Sequence, residues 1–161
     1  MMENTCFFIG HRDAPDSLYP ALAEQVERHI VGYGVTEFVV GSYGRFDSLA
    51  VQAVKDAKKR HQQVTLLLLL PYHPAERSVP LLSGFDGTFY PPGMEAVPKR
   101  AAIVRANRYM VEHSKYLIAW AWQAGSNAKK LADYAVRRER RGLIQISLLP
   151  VPVRPDQPPH L

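Results

Sequence analysis

The 161-residue chain predicts a three-layer α/β fold, a mostly parallel sheet of five strands or slightly more with helices on both faces. Three observations predict it. Short, continuously apolar runs such as Phe38-Val39-Val40 and Leu66-Leu67-Leu68-Leu69-Leu70 read as strands covered on both sides. Amphipathic segments of helical period alternate with them. Glycine-bearing, hydrogen-bond-rich turns follow several of the strands, as parallel sheets require where a strand gives way to a crossover helix.

The elements follow in order. Thr5-Cys6-Phe7-Phe8-Ile9 is the first strand, ending in Gly10-His11-Arg12. Residues 17–31 form a helix with Leu18, Leu22, Val26 and Ile30 on one stripe, Pro20 in its first turn and Gly32 and Gly34 at its end. The second strand, Phe38-Val39-Val40, enters Gly41-Ser42-Tyr43-Gly44-Arg45-Phe46-Asp47. Asp47 is a good N-cap for a helix reaching to about Arg60. Residues 63–70 are the third strand. Residues 75–98 hold four prolines and three glycines without clear periodicity, with Phe85, Phe89 and Tyr90 expected to fold over the domain. A helix over 99–114 leads into the fourth strand, 116–122, which ends in Gly125-Ser126-Asn127 and a helix to about Arg140. Residues 143–147 are the fifth strand. Residues 1–149 thus read as one domain, and the proline-rich 150–161 as an extended tail.

The totals narrow the function classes. One cysteine, Cys6, in an apolar strand excludes a disulfide framework and a cysteine-based zinc site. No metal site is expected, since His29, His61, His73 and His113 lack ligand spacing. No apolar run is long enough for a membrane span, so an intracellular, cytoplasmic, soluble protein is expected. The net charge of +5 is modest, and the run 137–141 reads first as the solvated end of a helix and second as a nucleic-acid patch. Trp120 and Trp122 share one face of the fourth strand and are expected under a helix. There is no phosphate-loop lysine motif, no Gly-x-Gly-x-x-Gly and no Gly-x-Ser-x-Gly.

In parallel sheets, ligands sit beyond the carboxyl ends of the strands near a topological switch point. That rule selects the turns at Gly10, Gly41, Pro71 and Gly125 together. Free amides and the dipole at the helix starts after Gly44 and Gly125 favour a phosphate, with Arg12 and Arg108 supplying charge.

Residues 6–12, 41–47 and 105–111, with a later strand and glycine turn, resemble the YpsA-like branch of the SLOG superfamily, the Rossmann-like group that includes the Smf/DprA and LOG families. The resemblance covers roughly residues 5–146 and implies a Rossmann-like fold that binds a nucleotide or a nucleotide-derived molecule. Carried onto this chain, it implies Gly10 and Arg12 in the first loop, with His11 between them. Gly41, Ser42, Gly44 and Asp47 fall in the second loop, and Asn107 and Arg108 on the helix before the fourth strand. The last loop departs from the family's Gly-Gly-Thr, having Gly125, Ser126 and Asn127 instead. No glutamate follows Gly125 until Glu139, so the catalytic glutamate of LOG-type phosphoribohydrolases has no counterpart. Asp47 and His11 remain as acid–base candidates, each with a simpler role as cap or loop contact.

The leading expectation is therefore binding or sensing of a nucleotide-type small molecule. A nucleotide-processing hydrolase and a Smf/DprA-like single-strand binder are the alternatives. The catalytic residues and any cofactor are left unknown, nucleic acid is a less favoured partner, no membrane partner is expected, and a homo-oligomer is compatible with the sequence.

Overall fold

The computed structural model describes residues 2–77 and 84–151. Six strands form one parallel sheet: β1 (Met2–Gly10), β2 (Glu37–Val40), β3 (Thr65–Leu69), β4 (Gly87–Phe89), β5 (Ser114–Trp120) and β6 (Gln145–Leu148). Four helices connect them: α1 (Tyr19–Tyr33), α2 (Arg45–Lys58), α3 (Ala102–His113) and α4 (Asn127–Arg140). The spatial order is β4-β3-β2-β1-β5-β6, with every neighbouring pair parallel. From β1 the chain winds outward through β2 and β3 to β4. It then crosses back over β1 to build β5 and β6 on the other side. The switch point lies between β1 and β5.

Alternation along each strand supplies the two cores. Cys6 and Phe8, with Phe38 and Val40, face α1 and α2, where Leu22, Val26, Ala50 and Val54 pack. Phe7 and Ile9, with Val39 and Leu69, face α3 and α4, where Ala106, Met110 and Ala135 pack. The Cys6 thiol is buried, and that burial pushes its pKa well above the ordinary value, in keeping with a packing side chain. Trp120 is buried on the α1–α2 side and its indole donates to the Pro150 carbonyl at 3.1 Å. Trp122 is half-buried against the same core.

The expected α/β architecture is present, with differences at its edges. The sixth strand, β4, falls inside the segment that showed no periodicity. It has only three residues, one a glycine, and its order comes from pairing with β3. Phe89 and Tyr90 pack on the α3–α4 side and Phe85 on the other. Residues 78–83 of that segment, and 152–161 of the expected tail, lie outside the described residues. Among the described residues, no helix is long and apolar enough to cross a membrane.

Candidate functional site

The carboxyl ends of β1 and β5, the β2–α2 loop and the starts of α3 and α4 enclose a cavity of about 470 Å³ at the switch point. From the first loop, Gly10, His11 and Arg12 reach it. Gly41 and Asp47 reach it from the second, Asn107 from α3, and Ser126 and Asn127 from the fourth. Eight of the twelve residues singled out in the sequence thus converge on one space.

Two glycines make the loops fit. Gly44 has φ +115° and precedes α2; a Cβ there would sit 2.7 Å from the Cα of Arg12. Only glycine allows both the dihedral and the approach. The Arg45 amide then donates to the Arg12 carbonyl at 2.9 Å, joining the first and second loops. A Cβ on Gly10 would lie 2.1 Å from the ring of Phe46, which is buried against it.

The cap of α2 differs from expectation. The helix begins at Arg45, with Gly44 as its N-cap and no side-chain cap. Asp47 lies in the first turn, and its carboxylate folds back to accept from the Tyr43 amide at 3.0 Å. A Cβ on Gly41 would meet that carboxylate at 2.9 Å. Burial raises the Asp47 pKa to about 6, partly opposed by the Tyr43 hydrogen bond. At α4 Ser126 is the N-cap and its hydroxyl accepts from the Lys129 amide at 3.1 Å. The Asn127 and Ala128 amides have no hydrogen-bond partner among the described residues, and both residues line the cavity.

His11 is a tie between loops. Its Nε2 accepts from the backbone amides of Trp122 at 2.9 Å and Gln123 at 3.2 Å. A ring nitrogen that accepts two amides must be unprotonated, which fixes the neutral tautomer with hydrogen on Nδ1. Burial lowers the His11 pKa, against a smaller raising effect of Asp13. The ring also meets Trp120 and Trp122 edge-on at 5.3 and 5.7 Å. Arg12 is exposed on the rim. Asp16, the obvious partner, is taken by Arg45 at 2.6 Å, and Arg12 has no ion pair among the described residues.

Four singled-out residues do not line the cavity: Ser42, Gly44, Gly125 and Arg108. Ser42 is exposed. Gly44 and Gly125 shape the turns, Gly125 at φ +81°. Arg108 turns away toward α4, its guanidinium 4.5 Å from the centre of the Tyr134 ring and 3.8 Å from Glu112. Conversely, Tyr43, Ile103, Val104, Gln123 and Leu131 line the cavity without having been singled out. Ile103 and Leu131 belong to ordinary apolar stripes, so nothing in the sequence separates them from core. Among the described residues, no three His, Cys, Asp or Glu side chains are grouped to hold a metal ion.

No protein-family model matches the chain, and no match is found among curated protein sequences. Among solved structures, the X-ray structure of DNA processing protein A (DprA) from Streptococcus pneumoniae is similar, with a TM-score of 0.63 and 13% identity. The match covers 92% of this chain and 51% of the other, so this chain spans about half the length of that structure. At that identity the likeness shows the fold, a parallel Rossmann-like sheet flanked by helices on both faces.

Proposed function

We propose that the protein binds a nucleotide or nucleotide-derived small molecule in the switch-point cavity, as a YpsA-like member of the SLOG superfamily with a binding or sensing role. The observation that carries the reading is the convergence of three separate loops on one cavity of about 470 Å³, a volume in the range of small-molecule sites. The polar groups divide the cavity. The unpartnered Asn127 and Ala128 amides, the α4 dipole and the free Arg12 guanidinium favour an anionic group. Asp47 already supplies the negative charge at the α2 start, so that end suits a hydroxyl or N–H of the ligand rather than its phosphate. Ile103, Val104 and Leu131 supply the apolar wall for a planar base.

A binding role is favoured over hydrolysis because the two acid–base candidates are not equal. Of those two, the Nε2 of His11 is occupied by two backbone amides, which leaves Asp47 beside the ligand. Thermal denaturation against a nucleotide panel tests the reading. A ligand at a hundred times its dissociation constant stabilises by about 2.7 kcal/mol. For a chain of this size that raises the Tm by roughly 5–10 °C. Arg12→Ala is expected to remove most of that shift while leaving the unliganded Tm unchanged. A panel without any shift, or an Arg12→Ala variant that responds like the parent, contradicts the proposal.

A further inference from the structure

His11 sits where the first and fourth loops meet, and a line of hydrogen bonds runs from its ring to the start of α4. Its Nε2 accepts from two consecutive amides, Trp122 at 2.9 Å and Gln123 at 3.2 Å, which lie 111 and 112 positions further along the chain. The Gln123 carbonyl accepts from the Ser126 hydroxyl at 2.8 Å and from the Ser126 amide at 3.2 Å. The Ser126 hydroxyl in turn accepts from the Lys129 amide at 3.1 Å. Asn127 and Ala128, which line the cavity, lie between those two anchored residues. A second tie between the loops, from the Gln123 side chain to Asp13, is exposed and 3.5 Å long, too long to hold the loop by itself. The place of the α4 start therefore depends on what the His11 ring can accept.

An imidazolium accepts nothing, since both of its nitrogens donate. Protonated, the Nε2 of His11 would point its hydrogen at two amide hydrogens, in a residue only 5% exposed. The closed loop thus selects the neutral ring. Burial lowers its pKa from the ordinary 6.5, against a smaller raising effect of Asp13. A released loop returns the ring to water and to its ordinary pKa. The released form therefore binds the proton more tightly, and the closed form loses ground as the pH falls below 6.5. The other titratable and charged groups of the cavity are Arg12 and Asp13 beside His11, and Tyr43 and Asp47 from the second loop. The β5 and α4 sides present Trp120, Trp122, Gln123, Ser126 and Asn127, none of which ionises between pH 5 and 8. Burial raises the Tyr43 pKa above its ordinary 10, so it stays neutral there. Asp47 acts with the opposite sign: as the pH falls through about 6 it loses its negative charge, which favours an anion in the cavity.

We propose that His11 is a positioning residue that works as a pH-sensitive latch: its neutral ring holds the fourth loop closed, so that the amides at the start of α4 can receive the anionic group of the ligand, and its protonation releases them. The inference rests on the nucleotide reading of the cavity and adds the regulation of that site. Binding is then strongest at neutral and alkaline pH and weakens in mild acid, by up to tenfold per pH unit for a single proton.

NMR of the backbone amides and histidine rings, from pH 8 to pH 5, tests this on the whole chain. Without ligand, the Trp122, Gln123, Asn127 and Ala128 amides are expected to shift together with the His11 ring, at a midpoint below 6.5. His11→Gln puts an oxygen acceptor near the place of Nε2 and does not titrate. It should hold those four amides at their pH 8 positions down to pH 5. His11→Ala should lower the protection of the Trp122 and Gln123 amides against hydrogen exchange at least tenfold at pH 8. Inorganic sulfate, doubly charged throughout this range, serves as the anion probe. In the parent, its dissociation constant read at Asn127 and Ala128 should rise at least tenfold from pH 8 to pH 5, and in His11→Gln it should not rise. Asp47 cannot produce that loss, because its protonation strengthens anion binding. A His11 ring that titrates at or above 6.5, amides that stay still while the ring titrates, or a His11→Gln variant with the parent's pH response overturns the latch. Sulfate that leaves Asn127 and Ala128 unmoved at pH 8 overturns the anion end of the nucleotide reading, while the ligand-free titration still decides the latch.

Discussion

Asp47 is the residue whose environment departs most from what its position in the chain suggests. Its carboxylate is partly buried at the cavity and held by one backbone amide. Burial raises its pKa from 3.8 to about 6. The folded pKa lies above the unfolded one, so the native state binds the proton more tightly. Asp47 therefore disfavours folding above pH 6, and that penalty fades as the pH falls from 6 toward 4. Asp47→Asn keeps an oxygen acceptor for the Tyr43 amide and removes the charge. At pH 8 the variant is expected to be more stable than the parent by about 1 kcal/mol or more, roughly 2–4 °C in Tm, with the gain shrinking toward pH 5. Equal melting temperatures at pH 8 would show that Asp47 is well solvated. If the protein hydrolyses a nucleotide, the same change must abolish release of base or phosphate. The sequence offered Asp47 as a helix cap because an acid ahead of an apolar helical stripe usually is one. The glycine turn was legible, but not that Gly44, at φ +115°, would itself be the N-cap three residues before Asp47, turning the same carboxylate from a cap into a loop contact. The close approaches of Gly10 to Phe46 and of Gly44 to Arg12 were equally illegible, since each joins residues more than thirty positions apart.

Strands with continuous apolar runs and helices with clean stripes were legible because periodicity and burial act locally. The observed bounds of β1, β3, β5 and α1 lie within a few residues of those read from pattern. β4 was not legible, because a Gly-Thr-Phe strand is specified by its neighbour rather than by its own residues. The opposite edge shows a second device that pattern does not reveal. Among the described residues β6 pairs only with β5, yet the Ile146 amide is met by the Glu139 carboxylate from α4 at 2.7 Å. An acceptor there occupies a donor that would otherwise invite pairing by another strand. Glu139→Ala is expected to cost about 1 kcal/mol and to speed hydrogen exchange at Ile146 by several-fold. Exchange at the paired amides of β5 should not change. Unaltered exchange at Ile146 would show that the carboxylate does not protect the edge. Lys58 and Asp86 serve the β4 side: Asp86 accepts from the Leu66 amide at 2.8 Å and pairs with Lys58 at 2.5 Å.

For the molecule as a whole, the decisive fact is that the chain reverses direction across the sheet between β1 and β5. The order of elements implied a parallel sheet and placed the glycine turns at its carboxyl edge. It did not give the strand order, and so could not say which of four turns would meet. The structure brings the first, second and fourth together and directs Arg108 toward the Tyr134 ring of α4 instead. The wall from Ile103, Val104 and Leu131 was hidden because Ile103 and Leu131 read as ordinary helix stripes and Val104 fell outside the stripe. The central claim is that this one cavity holds the ligand. Backbone-amide NMR tests it most directly, by titrating the protein with the nucleotide that gives the largest thermal shift. The account predicts that the largest perturbations fall at residues 10–13, 41–47, 103–107 and 123–131, with the Asn127 and Ala128 amides among them. Perturbations centred elsewhere, with Asn127 and Ala128 unmoved at saturation, would contradict it.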